Sequence, residues 1–168
     1  MFRFKLIAWA LISLNLLSQE IPDYKGEYTF TNSKFSIDGI RDLTTKEDGL
    51  RILKFEGKFP MGKITISSNF VEEGHYITSN EYLVDVKWTV FKDKRTIIFD
   101  QKNNKLISKG KFKWTQALLE DQNIFDPLNV QIQIRKNIIA NISEFSLKLP
   151  DLKTGAIEDN TYRIIEDK

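Results

Sequence analysis

The residues that could do chemistry in this chain are few, and the only histidine comes first among them. His75 lies close to Glu72 and Glu73 in the sequence. Imidazole and carboxylate groups together could hold a metal ion or activate a nucleophile. Such a site needs several convergent groups, and the 168-residue chain has no second histidine and no cysteine. The pattern therefore favours a structural role for His75, and no metal site is predicted.

The other reactive groups also lack a catalytic pattern. Without cysteine the chain has no disulfide, no thiolate nucleophile and no zinc–thiolate or iron–sulfur site. Paired carboxylates could act as acid and base, but here they fall at predicted turns. These pairs are Glu47-Asp48, Glu72-Glu73, Glu120-Asp121 and Glu158-Asp159. The sequence also has no phosphate-binding loop and no nucleophile elbow, so it predicts neither an enzyme nor a cofactor.

Two short basic runs could contact lipid headgroups or an anionic envelope polymer. They contain Lys92, Lys94, Arg95, Lys109, Lys111 and Lys113. Charged rows on strands usually form the wet face of a sheet and protect its edges from pairing. The simpler interpretation is therefore a solvated face.

Large apolar residues on predicted inward faces could line a cavity for an acyl chain or another apolar ligand. They are Phe70, Trp88, Phe99, Phe112, Trp114 and, on a predicted helix, Ile132. The alternative is that they simply fill a core, which is the commoner role of such residues. Because a curled sheet covered by one helix need not fill its interior, these six are the predicted ligand-binding residues.

The amino terminus has the layout of a secretory signal peptide over residues 1–18. Arg3 and Lys5 precede an apolar stretch, Leu6–Leu17, and Ser18 is a small residue at the predicted cleavage position. The apolar stretch is shorter than the roughly 20 residues that span a bilayer. We therefore predict an exported, soluble protein of residues 19–168 after cleavage. The alternative is a membrane tether formed by an uncleaved N-terminal segment.

Signal cleavage also changes the charge of the chain. The full chain has 25 basic and 23 acidic residues, and residues 1–18 hold two of the basic ones and no acidic ones. The mature chain is therefore close to neutral. Proteins that bind nucleic acids normally carry a basic excess, so no nucleic-acid partner is predicted.

Alternation of apolar and polar residues, interrupted by turn signals, predicts an antiparallel meander in a single β-rich domain. Asp48-Gly49 is a strong hairpin signal. No segment suits the helical crossovers that a parallel sheet requires. The predicted strands are Lys25–Thr31, Ile37–Lys46, Leu50–Phe59, Lys63–Val71, Tyr82–Val90, Thr96–Gln101, Leu106–Trp114, Glu144–Leu149 and Thr161–Ile165, with a polar break at Lys92–Arg95.

One segment departs from the strand pattern, near residues 127–142. Asp126 is a good N-cap and Pro127 suits the first position of a helix. Leu128, Ile132, Ile139 and Ile142 fall on one helical stripe, although part of the segment also alternates as a strand would. Its length and its start favour an α-helix that covers the apolar face of the sheet.

This order of features resembles a bacterial envelope family catalogued as domain of unknown function 3108. The resemblance rests on the export signal, on Gly39 in an early strand, on Phe99-Asp100, and on Asp126-Pro127-Leu128-Asn129 followed by Ile134-Arg135. Asn129 and Ile134 stand where the family has serine and leucine. Asp126, Pro127, Leu128 and Arg135 are thus motif residues with a structural role. Relative to the family, the chain ends early, as a C-terminally truncated version would.

The resemblance implies a periplasmic address and a curved, half-barrel-like sheet similar to periplasmic lipoprotein carriers. Together with the residue patterns, it predicts a mainly β, non-enzymatic protein that binds an apolar or envelope-derived ligand, such as a lipid, between sheet and helix. The alternative is a structural or assembly factor of the cell envelope that acts through contacts with an envelope protein.

Overall fold

The computed structural model describes residues 20–31, 36–59, 61–90, 92–119 and 122–165. The predicted signal helix, residues 1–18, lies outside the described residues.

Eight strands form one antiparallel sheet in which each strand pairs with its neighbour in the chain. The sheet is not closed, because β1 and β8 lie at opposite edges. The predicted antiparallel meander is thereby confirmed. The strands are β1 (Tyr24–Thr31), β2 (Ser36–Thr45), β3 (Arg51–Phe59), β4 (Gly62–Glu73), β5 (Tyr76–Trp88), β6 (Lys92–Asp100), β7 (Lys105–Gly110) and β8 (Trp114–Ala117).

A helix, α1 (Val130–Ile139), follows the sheet, and a hairpin of β9 (Glu144–Pro150) and β10 (Ile157–Arg163) completes the described chain. The hairpin is joined to the segment before α1, where the Phe125 N–H donates to Lys148 O at 2.8 Å. It is also joined to the sheet edge, where Trp114 Nε1 donates to Leu152 O at 3.3 Å.

The period-two pattern of the sequence brings one inward residue from every strand into a continuous row. In register from β1 to β8, this row is Tyr24, Leu43, Leu53, Ser68, Tyr82, Ile97, Ser108 and Trp114. Leu43, Leu53 and Ile97 are buried in the core. The inner face of the sheet is therefore the face that the alternation predicts.

Four strand boundaries differ clearly from the prediction. The predicted strand Tyr82–Val90 begins earlier and ends earlier, since β5 runs over Tyr76–Trp88. Lys92–Arg95 is not a break, since β6 pairs with β5 along these residues, with Lys92 and Lys94 exposed and Asp93 and Arg95 partly buried between them. The predicted strand Leu106–Trp114 divides into β7 and β8 at Gly110, whose φ of 103° only glycine adopts readily. The last strand runs over Ile157–Arg163 rather than Thr161–Ile165, because its register follows β9.

The helix lies within the predicted segment but is shorter. Its N-cap is Asn129 rather than the predicted Asp126, and Pro127 lies in the turn before the helix rather than at its first position. It ends in a Schellman arrangement, with Asn141 in the left-handed region (φ 57°). The Asn141 N–H donates to Ile138 O, and the Ile142 N–H donates to Asn137 O. The predicted apolar stripe is only partly correct, since Ile139 and Ile142 are exposed.

Two glycines on facing positions of β2 and β3 make room for an aromatic ring on the inner face. Gly39 and Gly57 are register partners. A Cβ at Gly39 would come within 2.5 Å of Phe55 Cζ and 2.6 Å of Glu56 O. A Cβ at Gly57 would come within 2.5 Å of Ile37 Cγ2. The Phe55 ring can therefore lie against the sheet only because both positions lack a side chain.

We expect Gly39→Ala to lower the free energy of unfolding by about 1–3 kcal/mol, because a methyl group would push on the backbone oxygen of Glu56. Urea denaturation measures the change. Gly26→Ala is the matched control, since its Cβ would meet only the ring edge of Tyr28 at 3.1 Å. Equal losses for the two variants would contradict the packing argument.

Candidate functional site

The turn that leads into α1 is held by reciprocal hydrogen bonds between Asp126 and Asn129. Asp126 Oδ1 accepts from the N–H groups of Leu128 and Asn129, each at 2.8 Å. Asn129 Oδ1 accepts from the Asp126 N–H at 2.9 Å. This is the pattern of a capping box, and it satisfies N–H groups that a helix start otherwise leaves unpaired.

The same turn is fixed to the sheet by two buried serines. Ser68 Oγ, on β4, donates to Asp126 Oδ2 at 2.6 Å. Asn129 Nδ2 donates to Ser79 Oγ, on β5, at 2.9 Å, and Ser79 Oγ donates to Ile124 O. Both serines lie on the inner face of the sheet. Their hydrogen bonds to Asp126 and Asn129 therefore fix the position of the turn relative to β4 and β5.

Burial raises the pKa of Asp126 from 3.8 to about 7, against the opposing effect of its hydrogen bonds from Ser68 and the backbone. The nearby Asp126 also adds to the effect of burial in raising the pKa of Tyr82.

Further along the helix, the face toward the sheet is polar. Gln133 Oε1 accepts from the Ile77 N–H, and Gln133 Nε2 donates to His75 O, each at 3.2 Å. Asn137 Oδ1 lies 2.8 Å from His75 Nε2. The structure thus uses His75 in the contact between helix and sheet. In the described part of the chain, no group of acidic and histidine side chains could hold a metal ion.

A buried ion cluster of Arg51, Glu72 and Lys136 lies at the end of this contact. Lys136 Nζ donates to Glu72 Oε2 and to Gly74 O, each at 3.0 Å. Arg51 donates through Nη1 to Glu72 Oε1 and through Nη2 to Ile21 O. Arg51 is 1% exposed and Lys136 is 3% exposed. One carboxylate therefore joins β3, β4 and α1, while Arg51 also secures the segment before β1.

Between the first turn of α1 and the inner face of β1–β5 lies a cavity of about 480 Å³. Pro127, Leu128 and Gln131 border it on the helix side. The residues that border it on the sheet side are mostly apolar, namely Tyr28, Thr29, Ile37, Arg41, Phe55, Ile64, Ile66 and Tyr82. The cavity lies where the inner face extends past the start of the helix.

Among the described residues that border the cavity, Arg41 is the one cation. Its Nη1 donates to Gln131 Oε1 at 2.6 Å, and its guanidinium carbon lies 5.7 Å from the centre of the Tyr28 ring. No carboxylate of the described residues lies in ion-pair range of Arg41, and its Nε is buried without a hydrogen-bond partner there. The described border of the cavity is therefore mostly apolar, with the Arg41 guanidinium as its one positive charge.

The six predicted ligand-binding residues are dispersed. Phe70, Phe99 and Ile132 are buried together in the hydrophobic core, and Trp114 packs against that core. Phe112 lies in the turn between β7 and β8, under the side chains of Arg95 and Lys111. Trp88 is 39% exposed at the end of β5, with its ring 5.1 Å from that of Phe59. The cavity is bordered by other residues, so a ligand role for these six stays a prediction.

Of the motif residues, Asp126, Pro127 and Leu128 form the turn described above, and Leu128 and Pro127 border the cavity. Arg135 is exposed on α1. The residues that the sequence interpretation missed, such as Phe55, Ile64 and Ile66, share the inward parity of their strands. The signal that could have found them is the pair Gly39 and Gly57, because register-matched glycines reduce the filling of an inner face.

Comparisons with protein-family models, with curated proteins and with solved structures found no match to this chain. The resemblance to the envelope family therefore stays a prediction. Among the described residues, no helix has the length and apolar character needed to cross a bilayer.

We expect Asp126 to make stability depend on pH. Because its pKa is higher in the folded chain (about 7) than the ordinary 3.8, the folded state holds the proton more tightly between these values. The free energy of unfolding should therefore fall as the pH rises from about 4 to about 7. Asp126→Asn keeps the shape and removes this titration.

Urea denaturation of both proteins across this pH range measures the effect. As the pH rises from about 4 to about 7, the unfolding free energy of the wild type should fall relative to that of Asp126→Asn. A constant difference would contradict the prediction.

Proposed function

We propose that the protein is an exported, non-enzymatic, periplasmic binding protein that holds an apolar or envelope-derived ligand between the sheet and α1. The observation that carries this proposal is the cavity of about 480 Å³ with mainly apolar borders at that place. Sites for small molecules usually have about 300–1,000 Å³ and combine apolar walls with few polar groups. The cavity has both properties.

The walls of this cavity are held in place before any ligand arrives. Leu128 and Pro127 belong to the turn that Asp126 caps and Ser68 fixes to β4. On the other side, Phe55 lies against Gly39 and Gly57. A preformed site loses less conformational entropy on binding, which favours a binding function over a space left by loose packing.

Arg41 suggests the polarity of the ligand. A guanidinium beside an apolar space suits a molecule with an apolar chain and an acidic or strongly accepting group at one end. Gln131, which already accepts a hydrogen bond from Arg41, could release Nη1 to such a group. We therefore propose that the ligand is an amphiphile, oriented with its polar end at Arg41.

The second candidate is an assembly factor of the cell envelope that acts through protein contacts. The observation in its favour is the outer edge of β1, where no strand of the described residues pairs. Such edges can accept a strand from another protein. A partner captured through β1, together with a cavity that binds no amphiphile, would favour this alternative.

Filling the cavity should abolish ligand binding. We expect Ile66→Trp to weaken binding of the apolar probe 1-N-phenylnaphthylamine about tenfold or more, because the indole takes the space that the probe needs. Probe fluorescence on titration measures this change.

Ile138→Trp is the matched control, since Ile138 lies exposed on α1. Both variants should keep the circular dichroism spectrum and thermal unfolding transition of a folded protein. A folded Ile66→Trp protein that binds the probe as well as wild type would contradict the proposed site.

Arg41 should distinguish acidic from neutral ligands of equal length. We expect Arg41→Met to weaken binding of hexadecanoic acid about tenfold and to change that of hexadecanol little, because only the acid forms a charge-assisted hydrogen bond with the guanidinium. Competition against the fluorescent probe measures both affinities. An equal loss for the acid and the alcohol would show that Arg41 acts only on the shape of the cavity.

A further inference from the structure

Four lysines form a ladder across the outer face of the sheet at one end. The register places Lys58 opposite Lys63, Lys63 opposite Lys87, and Lys87 opposite Lys92, so the ladder crosses β3, β4, β5 and β6. Lys94, Lys109 and Lys111 extend the basic surface toward β7. Part of this set is the basic run noted in the sequence, but the ladder itself exists only in the folded register.

This ladder opposes the stability of the sheet that carries it, because like charges directly opposite each other repel. Lys87 pairs with Asp85, and Asp38 lies opposite Lys58 on β2. For Lys63 and Lys92, no carboxylate of the described residues lies within ion-pair distance. Glu56 and Asp85 lie in the next row of the same face, each opposite Thr65, but the ladder row itself holds four lysines from β3 to β6 and no carboxylate. An uninterrupted row of four cations suits an anionic partner outside the chain.

Apolar side chains are exposed directly beside the ladder. Met61, in the turn between β3 and β4, is 56% exposed, and Val90, in the turn between β5 and β6, is 83% exposed. Trp88, at the end of β5, is 39% exposed. Two neighbouring hairpin tips thus present apolar groups at their ends and lysines along their outer side.

The opposite end of the sheet is different. Its turns are polar, with Lys46–Gly49 between β2 and β3 and Gln101–Asn104 between β6 and β7. Large apolar side chains are exposed at this end too, namely Tyr76 and, beside Asn104, Leu119. The lysine ladder lies only at the other end, where Met61, Trp88 and Val90 are exposed beside it.

We propose that these two hairpin tips dock the protein on the surface of an anionic lipid bilayer. Lysine side chains near such a surface extend their apolar stems along it and place the ammonium groups among the phosphates. Tryptophan and aliphatic side chains enter the interfacial region, where their transfer from water is favourable. A soluble polyanion would account for the ladder but not for Met61, Trp88 and Val90.

The proposal does not depend on a ligand in the cavity. Docking uses the outer face and the tips, whereas the cavity lies on the inner face. On the inner face of β4 and β5, three register pairs run from the tips toward the cavity. They are Gly62 with Trp88, Ile64 with Val86, and Ile66 with Val84.

Binding to vesicles tests the proposal. The full chain is expressed and purified, whether or not the host removes the predicted signal peptide. The purified protein is then sedimented with vesicles. One set of vesicles is phosphatidylcholine alone, and the other is an equimolar mixture of phosphatidylcholine and phosphatidylglycerol. We expect binding to the mixed vesicles, and we expect the double variant Lys63→Glu, Lys92→Glu to weaken it at least about tenfold.

Two features separate this loss from unfolding. Lys63→Glu replaces the two repulsions with Lys58 and Lys87 by two attractions, so the midpoint of thermal unfolding should stay unchanged or rise. The matched control is Lys102→Glu, Lys105→Glu, which makes the same charge change at the opposite end of the sheet and should leave vesicle binding within about twofold of wild type.

Insertion of the tips is measured separately. The chain has no cysteine, so Val90→Cys and, as control, Tyr76→Cys each accept a single nitrobenzoxadiazole label. On addition of the mixed vesicles, the emission of the label at position 90 should shift to the blue and that at position 76 should not.

Three results would overturn the proposal. The first is no binding to the mixed vesicles. The second is binding of equal strength to neutral vesicles that the ladder variant leaves unchanged. The third is binding that depends on the ladder but does not shift the label at position 90, which would assign the ladder to a soluble or surface-attached polyanion instead.

Discussion

The structure depends on a polar contact between α1 and the inner face of the sheet. Buried polar groups stabilise a fold only where each of them finds a partner. Here the capped turn at Asp126, the amide of Gln133 and the ammonium group of Lys136 each find theirs on β4, β5 or the turn between them. A helix held by apolar packing alone could slide or rotate on the sheet with little loss of stability. This helix would leave an amide and an ammonium group buried without partners if it moved by a single turn.

These polar contacts also decide which part of the inner face the helix leaves uncovered. Because the partners of the helix lie toward the Glu72–Ile77 end of β4 and β5, α1 begins over Ser68 and runs away from the hairpin tips. The rows of Ile66, Ile64 and Gly62 therefore lie at or beyond the start of the helix. Leu128 and Gln131, at that start, reach them only across the cavity. Gly39 and Gly57, which face each other on β2 and β3, place no side chains on this part of the inner face. The cavity lies over this part, and the exposed hairpin tips lie at its end.

Sequence reasoning succeeded where the signal is local. The meander follows from alternation and turn residues within each segment. The turn before the helix follows from Asp126-Pro127, because Asp126 Oδ1 accepts from the nearby N–H groups of Leu128 and Asn129. It failed where the outcome depends on residues far apart in the chain. That Lys136 is buried depends on Glu72, and that Phe55 borders a cavity depends on Gly39. The role of Lys63 depends on register partners in β3 and β5, which no single segment reveals.

The meander also sets the order in which the molecule can fold. Every strand of the large sheet pairs with its neighbour in the chain, so each hairpin closes a short loop and loses little chain entropy. The helix, in contrast, makes contacts over long separations, such as Ser68 with Asp126. Local pairing therefore favours formation of the sheet before residues 126–139 dock on it. The order of strands along the chain thus makes the sheet the least costly part to form, and the helix the part whose docking loses the most chain entropy.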